Sequence, residues 1–127
     1  MELAAGLSAR VELTVTDADT AQSHGSGDVP VLATPRVVAL VEAATVAATT
    51  TRLDPGFTTV GTRVELNHLA ASPVGRTVVA EAELIGVEGR RLAFAVAVRD
   101  GETLVAEGLI ERVLVDRHRF VEKAFGG

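Results

Sequence analysis

The chain has 127 residues, 47% of them hydrophobic, which is enough to build the core of one domain spanning residues 1–127. Its net charge is −5 and its twelve basic residues are scattered along the sequence, which argues against nucleic acid or an anionic membrane as a partner. The absence of cysteine excludes disulfides, thiolate zinc sites and cysteine nucleophiles.

Two further features predict a soluble, cytoplasmic protein. No apolar run approaches the ~20 residues that span a bilayer. The N-terminal sequence MELAAGLSARVE lacks the basic stretch and apolar core of a secretory signal.

The first predicted strand lies at about residues 10–16, where Val11, Leu13 and Val15 alternate with polar residues. Residues 17–30 are polar and rich in glycine and serine, which predicts an exposed loop rather than a packed element.

A helix is predicted to begin at Thr34 and Pro35 and to run to about Thr50. The threonine side chain can cap free backbone amides, and proline at the first helical position loses no hydrogen bond. Between Pro35 and Thr51, only Arg36 and Glu42 are charged. A helix that is apolar on all sides needs cover on more than one face.

Four more strands are predicted after the helix. Residues 57–69 alternate so that His68 shares a face with Val64 and Leu66, and Gly61 in this strand indicates a bulge or a close approach by another backbone or a ligand. The last three strands lie at about residues 76–88, 90–100 and 103–115. The predicted fold class is α+β, with one long central helix packed against a strongly curved, antiparallel, five-stranded sheet.

Glu42 is the first candidate for chemistry because none of its helical neighbours can neutralise its charge. It could instead face solvent, or pair with a buried arginine from the sheet. The helix has no other polar stripe, and this favours a carboxylate that faces a cleft.

His68 is the second candidate and the expected partner of Glu42. A histidine in this position could also be a core residue bonded to a backbone carbonyl. However, two isolated ionisable groups on the apolar faces of two central elements can form a pair that exchanges protons with a substrate.

The remaining polar residues carry weaker signals. Capping alone accounts for Thr34, although a helix N-terminus can also hold an oxyanion. Because Thr34 and Glu42 are about 12 Å apart along the helix axis, either two chains of a dimer supply them to one site or Thr34 acts at the edge of the site. Arg90 and Arg91 fit a hairpin turn and could also contact a nucleotide phosphate. His24 and His118 are expected to be solvated, and the three histidines are too dispersed for a metal motif.

Three segments of the chain resemble hotdog-fold thioesterases, most closely the fluoroacetyl-CoA thioesterase family. They are ATPRVVALVEAA, VGTRVELNHLAASPVG and VVAEAELIGVEGRRLAFAVAVRDG. The likeness extends from about Thr34 to Arg119. The family places threonine, glutamate and histidine at catalytic positions with the separations of Thr34, Glu42 and His68. Its pocket-lining glycine matches Gly61.

The resemblance implies a hotdog homodimer, with sites at the subunit boundary, that hydrolyses a small acyl-CoA thioester to the free acid and CoA. It implies no cofactor apart from the CoA of the substrate. Glu42 would act on the thioester carbonyl as nucleophile or base, and His68 would activate water or protonate the thiolate. Thr34 would orient the carboxylate or stabilise the oxyanion.

The candidate substrate-binding residues are Gly61, Val38, Arg90 and Arg91. The fluoroacetyl-specific member carries an aromatic lid before the helix, whereas this chain has no aromatic residue before Phe57. The resemblance therefore extends to thioester hydrolysis and not to selectivity for fluoroacetate.

Two other functions fit the same residues. A non-catalytic module could hold an acyl ligand in its apolar groove, with Glu42 bound to a static partner. An enoyl-thioester hydratase also uses a carboxylate and a histidine. That activity usually places an acid and a histidine close together after the start of the helix, and this pattern is not seen here.

Overall fold

The computed structural model describes residues 1–126, and its strands form one antiparallel sheet in the order β1-β3-β4-β5-β2. The strands are β1 (Ser8–Thr14), β2 (Phe57–His68), β3 (Thr77–Glu88), β4 (Arg91–Asp100) and β5 (Thr103–Asp116). The helices are α1 (Ala21–His24), α2 (Thr34–Thr49) and α3 (Arg117–Ala124).

Helix α2 lies at the centre of the fold and contacts all five strands. The strands present alternate residues to it, as the period of two requires. The buried core is almost entirely aliphatic, with Phe94 as its one aromatic side chain among the described residues. The predicted fold class is confirmed, and each strand lies within two residues of its predicted bounds.

The prediction for residues 17–30 is wrong in its first half. A 3-10 turn at Asp17–Asp19 and helix α1 pack there, and Asp19, Thr20 and Ala21 are buried. The side chain of Asp19 explains this packing, because it accepts hydrogen bonds from the Thr16 backbone and hydroxyl at 2.8 and 2.9 Å. It also accepts one from Arg36 at 3.0 Å, which ties the segment to α2.

One face of α2 and one edge of the sheet are uncovered in the single chain. The exposed face of the helix carries small apolar side chains, those of Ala39, Ala43, Val46 and Ala47. Strand β2 is an edge strand, and its residues 61–65 are all exposed. The chain therefore leaves apolar helix surface and unpaired strand backbone exposed on the elements that carry the candidate residues.

No helix among residues 1–126 is long and apolar enough to cross a membrane.

Candidate functional site

The hydroxyl of Thr34 and the imidazole of His68 are in direct contact, with 2.7 Å between Oγ1 and Nδ1. Thr34 is the first residue of α2 and His68 is the last residue of β2, so two element ends meet at this point. The pair is separated by 34 positions in the sequence. Its formation depends on the helix lying across the sheet.

Thr34 does not cap α2, and the capping explanation of its hydroxyl is wrong. The N-cap residue is Ala33, which has no side-chain hydrogen bond to offer. Proline is present in the first turn, as predicted. The Thr34 hydroxyl therefore bonds to His68 and not to the backbone of the helix end.

Burial lowers the pKa of His68, and the Ala70 backbone opposes this only in part. The imidazole is therefore neutral at pH 7. Its Nε2 atom is buried and has no partner at hydrogen-bonding geometry among the described residues. A neutral imidazole with one nitrogen fixed and the other free is suited to proton transfer.

A pocket of about 360 Å³ lies beside this pair. Its walls include Val31, Leu32 and Leu69, which are apolar, and residues 26–29 of the loop before α2. Those loop residues are Ser, Gly, Asp and Val, so no aromatic ring covers the pocket from this side. The space fits a small and largely apolar group.

Within a single chain, Glu42 pairs with an arginine and not with the predicted partner, His68. Its Oε2 atom accepts a hydrogen bond from Arg112 Nη1 at 3.2 Å, which is also an ion pair. The alternative of a buried arginine from the sheet is the one observed. The Glu42 side chain is 35% exposed, and its second oxygen, Oε1, has no protein partner among residues 1–126. One carboxylate oxygen is thus anchored while the other is available.

Arg112 is buried, and its guanidinium is fixed by three hydrogen bonds. Besides Glu42, it donates to the Thr59 hydroxyl and to the Thr59 carbonyl oxygen, both at 2.9 Å. Burial lowers the pKa of Arg112 and the charge of Glu42 opposes this shift, but a guanidinium remains protonated. A buried cation that is fixed by several hydrogen bonds can hold a carboxylate in one position.

Gly61 lies where the Glu42 carboxylate approaches strand β2. A methyl group on Gly61 would stand 2.5 Å from Glu42 Oε2 and 3.4 Å from Arg112 Nη1. A close approach is present at Gly61, but it is made by a side chain of the same protein and not by another backbone or a ligand. The predicted bulge is also present, because the β2–β5 register shifts between Gly61 and Arg63.

Glu42 and His68 lie far apart within one chain. Gly61, which marks the position of Glu42, is seven residues from His68 along β2, about 23 Å for an extended strand. Along α2, Thr34 and Glu42 are separated by about 12 Å. Within a single chain the carboxylate therefore does not reach the imidazole.

The other predicted residues occupy varied positions. Val38 is half-buried on α2, one turn before Glu42, and Arg90 and Arg91 are exposed at the β3–β4 turn. His24 and His118 are exposed, as predicted. No cluster of three or more His, Asp or Glu side chains within residues 1–126 could hold a metal ion.

Arg112 and Thr59 are the site residues that sequence reasoning did not single out. The sequence did contain a signal for Arg112, because it lies an even number of residues from Ala106 and Ile110 on β5 and so shares their buried face. A charged residue on the buried face of a strand requires a partner, and Glu42 was the available carboxylate. Thr59 carried no comparable signal.

Comparison with known proteins shows the family of this chain. The family model described as fluoroacetyl-CoA-specific thioesterase matches residues 15–118. The fluoroacetyl-CoA thioesterase of Streptantibioticus cattleyicolor is 41% identical over 93 residues, which are 73% of this chain and 67% of that protein. The chain belongs to the fluoroacetyl-CoA thioesterase family. The prediction of a hotdog-type thioester hydrolase is confirmed.

Solved structures of this family superpose closely on the chain. A structure of the fluoroacetyl-CoA thioesterase FlK matches with a TM-score of 0.92 and 31% identity, covering 99% of this chain and 98% of that one. A thioesterase superfamily member from Thermus thermophilus matches with a TM-score of 0.86 and 30% identity, covering 94% of this chain and 88% of that one.

Replacement of Gly61 by alanine tests the close approach of Glu42. The added methyl would displace a carboxylate on a flexible side chain, so the protein should still fold and unfold cooperatively. Misplacement of a reacting group by about 1 Å can lower the reaction rate by up to about 10²-fold. We therefore expect kcat/KM for acyl-CoA hydrolysis to fall about 10- to 100-fold. Gly86→Ala is the control, because its methyl would meet only Ala93 Cβ at 4.0 Å. Wild-type kcat/KM in Gly61→Ala would contradict this role.

The lowered pKa of His68 predicts a pH dependence of stability. The unfolded chain binds a proton on this histidine as the pH falls through about 6.5, whereas the folded chain resists protonation. The stability that His68 contributes should be present above pH 6.5 and be lost at lower pH. Urea unfolding of wild type and His68→Gln from pH 7.5 to 5 should show the wild type losing stability faster. The same loss of stability with falling pH in both proteins would contradict the lowered pKa of His68. So would an NMR titration that gives His68 a pKa above 6.5.

Proposed function

We propose that this protein hydrolyses a small acyl-CoA thioester at a site built from two copies of the chain. Thr34 and His68 come from one subunit, and Glu42 comes from the partner. The observation that carries the proposal is the placement of the Thr34–His68 pair and the anchored Glu42 at two separate points along the same edge strand.

The uncovered surfaces support a two-fold dimer. In a two-fold dimer, β2 can pair in antiparallel fashion with β2 of the other chain. A two-fold axis that passes between Val64 and Glu65 then places Gly61 opposite His68 of the other chain. That axis falls at the end of the exposed stretch 61–65. The small residues on the open face of α2 allow a second helix to approach closely. Such a dimer brings each carboxylate to the imidazole of the other chain.

In this arrangement neutral His68 is the base. When Nδ1–H donates to Thr34 Oγ1, the free Nε2 lone pair can take a proton from the hydrolytic water. The resulting imidazolium then gives this proton to the departing CoA thiolate. Because Thr34 accepts from the ring in this tautomer, its own hydroxyl hydrogen is free to donate to the developing oxyanion.

Glu42 acts at the thioester carbonyl. It either attacks the carbonyl carbon and expels the CoA thiolate, giving a mixed anhydride that His68-activated water then cleaves while the proton from that water passes to the released thiolate, or it holds the water for direct attack. In both routes one water is consumed and the products are the free acid and the CoA thiol. Arg112 keeps Oε2 fixed, so that Oε1 faces the substrate.

The small pocket and the relatives support a short acyl group. Structures of FlK variants contain fluoroacetate or acetyl-CoA. The pocket of about 360 Å³ beside His68 fits an acyl chain of a few carbons. CoA enters as part of the substrate, and the proposed steps use no other cofactor. We retain Gly61, Val38, Arg90 and Arg91 as proposed substrate contacts.

The Glu42–Arg112 pair is the one observation that favours a static binding module. A carboxylate that is held through one oxygen can still act on a substrate through the other. Here one oxygen is unpartnered and the side chain is 35% exposed. We therefore favour hydrolysis, and the following assay separates the two functions.

Release of free thiol from acetyl-, propionyl- and butyryl-CoA measures the proposed activity. We expect Glu42→Gln and His68→Ala each to lower kcat at least about 100-fold, as loss of a nucleophile or proton-transfer group does. Thr34→Ser should retain most of the activity and Thr34→Val should lose about 10-fold or more. Glu83→Gln, an exposed glutamate on β3, is the matched control. No turnover of any acyl-CoA, or equal turnover by Glu42→Gln and wild type, would rule out the hydrolase and leave the binding module.

A further inference from the structure

The basic residues divide into two groups. Among the described residues, five of the twelve have a carboxylate within 4 Å, and all five are arginines: Arg10, Arg36, Arg63, Arg76 and Arg112. The other seven are Arg52, Arg90, Arg91, Arg99, Arg117, Arg119 and Lys123. All seven are exposed.

Six of these seven unpaired cations lie at one end of the sheet. The Arg90 carbonyl accepts from the Leu114 amide at 2.8 Å, and Arg91 faces Val113 across the β4–β5 ladder. Helix α3, which follows directly, carries Arg117, Arg119 and Lys123. The Arg117 amide bonds the Gly56 carbonyl at 2.9 Å, four residues after Arg52. We call these six residues, Arg52, Arg90, Arg91, Arg117, Arg119 and Lys123, the basic end.

The carboxylates at this end are few and mostly engaged. Asp54 pairs with the N-terminal amine at 3.3 Å, Glu122 pairs with His118 at 3.3 Å, and Asp116 accepts from the Arg119 amide. Glu2, next to the N-terminal amine, and Glu88, the last residue of β3, are the others. A chain with a net charge of −5 therefore concentrates unpaired positive charge in one place. Such a field attracts an anion that the rest of the surface repels.

The exposed aromatic rings lie at the same end. The chain has four phenylalanines and no tyrosine or tryptophan. Phe120 is 44% exposed on α3 and Phe125 is 87% exposed just after it. A groove of about 480 Å³ at the start of α3 is lined by Gly56, Asp116, Arg117, His118 and Val121. Cations together with an exposed aromatic ring suit a purine nucleotide better than a simple anion, because the ring can stack on the base.

The basic end lies a short distance from Glu42 of the same chain. Arg112, which anchors Glu42, is four residues before Asp116 on β5, about 13 Å along the strand. A thioester carbonyl at Glu42 and a phosphate group at α3 would therefore be separated by one long flexible arm. Coenzyme A has this form, with its pantetheine arm between the thioester and the nucleotide.

We propose that the basic end holds the phosphates of the nucleotide part of coenzyme A, with Phe120 against the adenine. This inference rests on the proposed acyl-CoA hydrolysis. Each active site then draws its nucleotide contacts from the subunit that supplies Glu42. The contribution is electrostatic and exposed, so it should weaken as ionic strength rises.

Calorimetric titration of CoA, dephospho-CoA and pantetheine tests the basic end without turnover. The variant is the triple substitution Arg117→Gln, Arg119→Gln and Lys123→Gln, which keeps good helix-forming residues in α3. Removal of three exposed cations should weaken CoA binding about tenfold at low salt and leave pantetheine binding within twofold. Phe120→Ala should also weaken CoA binding without changing its salt dependence. Arg99→Gln is the matched control, an exposed and unpaired arginine near the opposite end of β4.

The outcomes separate this inference from the proposed function. A smaller loss of affinity for dephospho-CoA than for CoA would assign the surface to the 3′-phosphate, and an equal loss would assign it to the pyrophosphate. Equal CoA affinity in the wild type and the triple variant would overturn the inference even if the enzyme hydrolyses acyl-CoA. A wild type that shows no measurable binding of CoA would also overturn it. A wild type that binds CoA at the basic end but hydrolyses no acyl-CoA would contradict the hydrolysis alone.

Discussion

The distance between the anchored carboxylate and the imidazole within one chain constrains every functional conclusion. Glu42 is fixed beside Gly61 by Arg112, and His68 is fixed by Thr34 at the far end of the same strand. Neither side chain can cross the roughly 20 Å of strand between them. An edge strand that pairs with its own symmetry mate removes this distance, because antiparallel pairing sets the two points opposite each other. In this account the open edge of the sheet and the apolar face of α2 are parts of the active site.

The anchoring of Glu42 explains why a buried arginine is present in a small aliphatic core. Desolvation of a guanidinium costs several kcal/mol unless the cation is paired and hydrogen-bonded, and Arg112 donates one hydrogen bond from each of Nε, Nη1 and Nη2. A hydrophobic residue in its place would suit the core better. The cation is retained where it holds a carboxylate with one oxygen free. The glycine at position 61 provides the space in which that carboxylate lies.

The sequence predicted the secondary structure well because alternation and helical composition are local signals. The strands and α2 were read from periods of two and 3.6 residues and from turn residues. The packing of residues 17–24 was missed because it depends on Asp19 bonding to Thr16 and Arg36, which is not a periodic pattern. The contact of Thr34 with His68 was not predicted for a related reason, since a threonine at a helix start has a sufficient local explanation. Its contact with His68 exists only after β2 and α2 have packed.

The resemblance supplied the three candidate residues, but their spacing in the sequence did not show which of them share a site. That depends on the register of β2 and on which surfaces remain open. Gly108 is an example of such a constraint, because a methyl there would overlap the Glu65 carbonyl oxygen and disturb the β2–β5 pairing. No local pattern indicated this close approach.

Complementation between two inactive variants tests the two-chain site most directly. Glu42→Gln and His68→Ala are mixed in equal amounts, unfolded and refolded together, and assayed for thiol release from an acyl-CoA. In a mixed dimer the intact His68 of one chain meets the intact Glu42 of the other, so random pairing should restore about 25% of wild-type activity. If each site lies within a single chain, every site in the mixture lacks one group. In that case the activity stays at the level of the separate variants, and the account is contradicted.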